Sequence, residues 1–177
     1  ESEWKLESSA ANQEDKALQL AEMLERLEKP ALVFCATRRE AARLASVAAE
    51  ERPAADGENG EGLSSLLSEL IPRGVGLHSN DLRRNERRAV EELLRHGKLD
   101  VCFATTTLAE GVNIGTRTVV VLPGVERLAG DALPNLLGRA GRPGSGPGYA
   151  FTIRENGHNG SSRRAAYPGR LQSSNSV

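Results

Sequence analysis

The chain has 177 residues, enough for one domain of ordinary size. Hydrophobic residues make up 38% and aromatics only 3%, so the core must be aliphatic, built from Leu, Val, Ile and Ala. The formal net charge of -1 says nothing about partners by itself, but its distribution does: residues 1–70 carry 8 bases against 15 acids, and residues 71–177 carry 15 against 9. The basic half is nearly all arginine, which fits an anionic partner on one side; arginine richness also follows from genome composition.

Cys35 and Cys102 each sit inside an apolar run, ALVFCAT and DVCFAT, so buried free thiols are expected there rather than a disulfide or a zinc site. No run is long enough to span a membrane, and no signal-peptide pattern opens the sequence. A reducing, cytoplasmic setting is the resulting expectation.

Taken in chain order, residues 1–11 form an N-terminal extension. Asn12 then caps a helix, with Asp15 as capping-box partner; Leu20, Leu24 and Leu27 mark one face, and Pro30 closes it. ALVFCAT (31–37) is a short continuous apolar run, as in a strand buried on both sides. Thr37 caps a second helix, RREAARLASVAAE. Residues 51–62 are acidic and glycine-rich, a surface loop or insertion, and LSSLLSELI follows as a short helix. GVGLHS (74–79) is the next strand. RRNERRAVEELLRHG is an amphipathic helix with Val90, Leu93 and Leu94 inward and Gly97 as its stop. DVCFAT and RTVVVLP are two more strands. Asp131 caps the last helix, Pro134 sits in its first turn, and NLLGRAGR runs along it. YAFTI (149–153) is the final strand of a folded unit spanning 12–154, and 155–177 are expected to be a polar, disordered tail.

Strands alternating with helices point to an open, mainly parallel α/β sheet with helices on both faces. Ligands of such sheets sit beyond the C-terminal ends of the strands. That nominates Thr37 and Arg38, His78 and Ser79, and Thr105, Thr106 and Thr107, whose hydroxyls and charges suit phosphate groups. The segment NLLGRAGRPG (135–144) adds Arg139 and Arg142, three residues apart near the end of an apolar helix and so on one helix face, where two guanidinium forks also suit phosphate.

Four stretches together, ALVFCATRREAARLA, GVGLHSNDLRRNERRAVEELLRHG, VCFATTTLAEGVNIGTRTVVV and NLLGRAGRPG, resemble the second RecA-like domain of superfamily 2 helicases, of the DEAD/DEAH-box or Ski-like group. They correspond to motif IV, the helix leading to motif V, motif V and motif VI, over roughly residues 31–153. The resemblance implies that Arg139 and Arg142 reach across a cleft to the γ-phosphate of ATP. It implies that Gly111, Asn113, Asn135 and Gly138 lie near the nucleotide. It also implies that Thr37, Arg38, His78, Thr105 and Thr106 face the backbone of single-stranded RNA or DNA. Asn135 stands where the family often has Gln, and Gly115 where it often has Pro.

The chain contains no G-x-x-x-x-G-K-[ST] phosphate loop and no Asp-Glu pair for Mg²⁺; HGKL (96–99) lacks the first glycine and the hydroxyl. ATP and Mg²⁺ would therefore be held mainly by a first RecA-like domain, in cis or in trans, and this chain alone is expected to be inactive as an ATPase. Three readings stand side by side: half of a helicase motor, a stand-alone non-catalytic nucleic-acid-binding or helicase-regulating module, and a domain from a double-strand translocase. Individual residues also have plainer readings. Thr37 is a helix cap in any case, and Thr105–Thr107 suit a strand end with a plain cap. His78 suits a satisfied strand-end histidine and Asn113 a turn with positive φ. Arg83, Arg84, Arg87 and Arg88 suit a solvated helix face with diffuse attraction to nucleic acid.

Overall fold

The computed structural model describes residues 13–55, 62–109, 115–141, 148–153 and 164–167. In chain order its elements are α1 (Gln13–Glu25), β1 (Ala31–Phe34), α2 (Arg38–Glu50), α3 (Ser65–Leu70), β2 (Val75–His78), α4 (Arg84–Arg95), β3 (Val101–Ala104), β4 (Thr118–Val121), α5 (Val125–Ala129), α6 (Leu133–Leu137), β5 (Gly148–Thr152) and β6 (Arg164–Tyr167). The cap expected at Asn12 and the core of the acidic loop, 56–61, lie outside the described residues.

The strands form one sheet in the order β2-β3-β1-β4-β5-β6. The first five run parallel, and β6 closes the edge antiparallel to β5. Every residue of β1, β2, β3 and β4 is buried, which explains why each reads as an unbroken apolar run. The chain passes from β1 to β2 in one direction across the sheet and from β2 through β3 and β4 to β5 in the other. Right-handed crossovers then put α2 and α3 on one face and α4, α5 and α6 on the other. In agreement, α1 and α3 pack on α2, while α5 and α6 pack on the 3-10 turn Thr106–Ala109.

The core is aliphatic around Phe34 and Phe103, with Leu32, Val33, Leu67, Leu94, Leu108 and Leu136 fully enclosed. Cys35 and Cys102 are buried free thiols, as expected, and burial pushes Cys102 up to about 12.

Three local expectations are corrected. α6 stops at Leu137 instead of running on through Arg139 and beyond. Its end is dictated from outside: the Thr116 amide donates to the Arg139 carbonyl (3.0 Å) and the Gly141 amide to the Thr116 carbonyl (2.6 Å). The chain turns there through Gly141 at φ +89. A Cβ at Gly148 would collide with the backbone of Ala140 and Gly141, so this crossing needs glycine. Asp131 is not the cap of α6; it lies inside a 3-10 turn, Gly130–Ala132, and Ala132 precedes the helix. Finally, β6 lies within the stretch expected to be a tail, and a four-residue strand is too short to leave a hydrophobic period. Helix α5 went unread for the same reason.

Two ionic clusters tie the layers together. Arg52, 8% exposed, donates from Nε to Glu25 (2.7 Å) and from Nη1 to Asp100 (3.1 Å). It thereby clasps the ends of α1 and α2 to the start of β3. Glu86 is buried at the start of α4, where its carboxylate accepts the amides of Arg83 (2.9 Å) and Ser64 (2.7 Å). The Arg83 guanidinium beside it (3.2 Å) and the amide hydrogen bonds outweigh burial and hold it down at about 2.

Arg52→Leu should cost about 1–3 kcal/mol in denaturant unfolding, because it removes charge-assisted hydrogen bonds and leaves Glu25 and Asp100 with only Lys29 between them. Glu86 has a folded value below its ordinary 4.5, so its contribution is fully present above that pH and is lost as pH falls toward about 2. Glu86→Gln should destabilise the protein by about 1–2 kcal/mol near neutrality. Its unfolding midpoint should also fall less than the wild type's over that acid window.

Candidate nucleic-acid edge and arginine arm

Parallel register brings the ends of three strands level: Phe34 lies beside Ala104, and Ala104 beside His78. The residues that follow them, Thr37 and Arg38, Ser79, and Thr105 and Thr106, therefore gather at the C-terminal edge, as expected. Thr37 is exposed and extended at φ -131, ψ 155. Its Oγ1 accepts the Glu40 amide (3.1 Å), while the Glu40 carboxylate accepts the Ala36 amide (3.0 Å). The pairing resembles a capping box, with the T-x-x-E spacing at 37–40, but the carboxylate reaches one residue past the cap, to the amide of Ala36. The cap uses an oxygen lone pair, so the Thr37 O–H still has a proton to donate to an anion.

Arg38 is exposed and forms an ion pair with Asp81, in the loop between β2 and α4. In the same loop the Asn80 side-chain oxygen accepts from Arg87 (3.3 Å). Thr105 is buried, with its amide on the His78 carbonyl (3.2 Å), and Thr106 is half-buried at the start of its 3-10 turn.

His78 stands behind this edge rather than on its surface. Its side chain is buried, and Nε2 meets the Glu91 carboxylate at 2.8 Å. Burial lowers its pKa; Glu91 opposes the shift and Arg87 adds to it. A neutral ring donating Nε2–H to Glu91 braces α4 against β2. Asn80, Asp81 and Glu91 were missed in the sequence, because their partners come from other elements.

Arg139 belongs to the opposite edge. Thr116 lies two residues before β4 begins, so the segment bridged to it is at the strands' N-terminal ends. The two edges are separated by the strand length, about 13 Å at about 3.3 Å per residue. Asn135 is exposed on α6, Gly138 is exposed at its end, and Arg139 is half-buried. Burial lowers the Arg139 pKa from the ordinary arginine value. Arg142, Gly111 and Asn113 lie outside the described residues.

Arg139 is thus carried on a backbone held at its own carbonyl and at Gly141. Among the described residues, no group of three or more His, Cys, Asp or Glu converges to hold a metal ion, and no helix is long and apolar enough to cross a membrane.

The helicase conserved C-terminal domain family matches residues 15–144. The chain is similar to the ATP-dependent DNA helicase Hel308 of Thermoplasma volcanium, 41% identical over 86 residues, 45% of this chain and 13% of that protein. Hel308 of Pyrobaculum calidifontis is 43% identical over 90 residues, 46% of this chain and 13% of that protein. The probable ATP-dependent DNA helicase HFM1 of Mus musculus is 33% identical over 132 residues, 66% of this chain and 9% of that protein. The matched region is thus a small part of each relative's length. With four helicase motifs in order on a parallel α/β sheet, and a family match over most of its length, this chain belongs to the helicase conserved C-terminal domain family of superfamily 2, with Ski-like relatives.

Proposed function

We propose that this chain is the second motor domain of an ATP-dependent helicase or translocase acting on DNA. The observation that carries the reading is the division of its polar groups between two sheet edges, in a chain of this family. The C-terminal edge offers Thr37, Arg38, Thr105 and Thr106 to the backbone of a single strand, which is gripped through its phosphates without base reading. The Thr37 hydroxyl donates to a phosphate oxygen, and Arg38 supplies charge. His78 positions α4 behind them.

The N-terminal edge offers Arg139, joined in sequence by Arg142, to a nucleotide site shared with a first RecA-like domain. There the arginines stabilise charge on the transferring phosphoryl group, and Asn135 and Gly138 flank them; the family resemblance adds Gly111 and Asn113 to the nucleotide contacts. ATP with Mg²⁺, held mainly by the first domain, supplies the phosphoryl transfer that powers movement. The similarity to DNA helicases favours DNA as the strand.

In the full-length protein, Arg139→Ala and Arg142→Ala should each lower strand-stimulated ATP turnover, on the order of 10³-fold for an arginine finger. Strand affinity without nucleotide should change by less than about twofold, because Arg139 stands at the edge away from the strand and both arginines are assigned to the nucleotide. Arg139→Lys keeps the charge but loses the fork, and should also lose most turnover. Parallel losses of turnover and strand affinity would sink the reading.

A further inference from the structure

The pairing of Arg38 with Asp81 deepens the reading of the C-terminal edge and rests on it. Arg38 opens α2, and Asp81 lies 43 residues on, in the loop that leads into α4. Both side chains are largely exposed, 60% and 58%. Leu82 packs against the core and anchors this loop. Asn80, next to Asp81, presents its side-chain oxygen to Arg87. The loop thus offers a carboxylate oxygen and an amide oxygen to two arginines that belong to different helices.

Those oxygens are chemically close to what a phosphodiester presents: planar or tetrahedral acceptors that a guanidinium fork takes up. The other acids of this neighbourhood are engaged elsewhere. Glu40 caps α2, Glu86 is buried under Arg83 and Ser64, and Glu91 holds His78. Asp81, by contrast, is exposed, in a loop leading into a helix that carries the exposed arginines 84 and 88. An exposed ion pair contributes little to stability, so the fold does not depend on keeping it.

We infer that Asp81 stands in for a backbone phosphate on Arg38, and that nucleic acid enters this edge by exchanging that carboxylate for its own phosphate. Asp81 is then a positioning residue with two effects. It holds the guanidinium of Arg38 oriented at the edge before the strand arrives. It also lowers strand affinity, because the arriving phosphate must displace it.

The test measures binding of a fluorescently labelled thymidine oligonucleotide to the full-length protein without nucleotide, at about 50 and 200 mM salt, the range over which phosphate contacts are read. Asp81→Asn removes the competing charge and should tighten binding about three- to tenfold at low salt. The dependence of log Kd on log salt should change by less than about 0.7, the value of one single-strand phosphate contact, because Arg38 meets the phosphate in both proteins. Arg38→Ala should weaken binding. In the Arg38→Ala background, Asp81→Asn should change affinity by less than about twofold, because the exchange has lost its site.

An equal gain with and without Arg38 would mean that Asp81 acts only through net charge, and would overturn the exchange. Weakening by Arg38→Ala with no gain from Asp81→Asn would overturn it while leaving the strand site standing. No effect of Arg38→Ala would remove the strand site, and the exchange with it. Both residues are exposed, so unfolding midpoints should match the wild type's and separate binding effects from misfolding.

Discussion

Parallel pairing makes every strand enter the sheet from one edge and leave it at the other. With β1 flanked by β3 and β4, and all three in level register, the chain has no freedom over where its strand ends emerge. Loops after β1, β2 and β3 must meet on one side, and the segments before β2, β3 and β4 on the other. The distribution of chemistry follows. Hydroxyls and helix starts collect at the C-terminal edge, where first-turn amides point outward. The arginine arm, delivered by a helix that runs back across the sheet, ends up at the far side. One fold therefore separates two polar edges that do not compete for space.

Each edge is held by a different kind of polar device. At the N-terminal edge Arg52 joins Glu25 and Asp100, while Arg73 donates to the carbonyls of Ala49 and Arg52. Three elements are tied there by the buried Arg52 guanidinium, whose acidic partners stay half in water, which limits its desolvation cost. At the C-terminal edge the devices are caps. Glu40 closes the start of α2 and Glu86 the start of α4. Two acids thus sit at helix N-termini among arginines, where backbone amides favour negative charge. Rigid helix starts are what an edge needs if it is to meet a repeating phosphate chain at fixed spacing.

The sheet was legible because burial on both faces writes each strand as a solid apolar run; ALVF, VCFA and TVVV admit little else. Helix α4 was legible from its periodicity, and α2 from the cap at Thr37. What was hidden was set by partners far away in sequence. Arg139 leaves the helix because Thr116 pulls its backbone into a bridge. Arg38 finds its acid 43 residues away, and Arg52 its acids 27 and 48 residues away. No local pattern encodes such pairs. The identity of the strand-edge residues could be read from topology, but that His78 faces inward toward Glu91 could not, since β2 is buried on both faces and alternation gives no direction.

The bridge between Thr116 and Ala140 has a mechanical consequence. Two backbone hydrogen bonds and a glycine crossing leave the Arg139 segment without slack, so it moves with the sheet as one body. With about 13 Å between the edges, the sheet acts as a lever. A rotation of roughly 10° pivoting at the C-terminal edge carries the guanidinium about 2 Å, the scale of shifts that rigid-body transitions produce. A misplacement of about 1 Å already costs a positioned group on the order of a hundredfold in rate. A few degrees of domain tilt would thus suffice to switch such an arm between engaged and idle, with no local rearrangement at all.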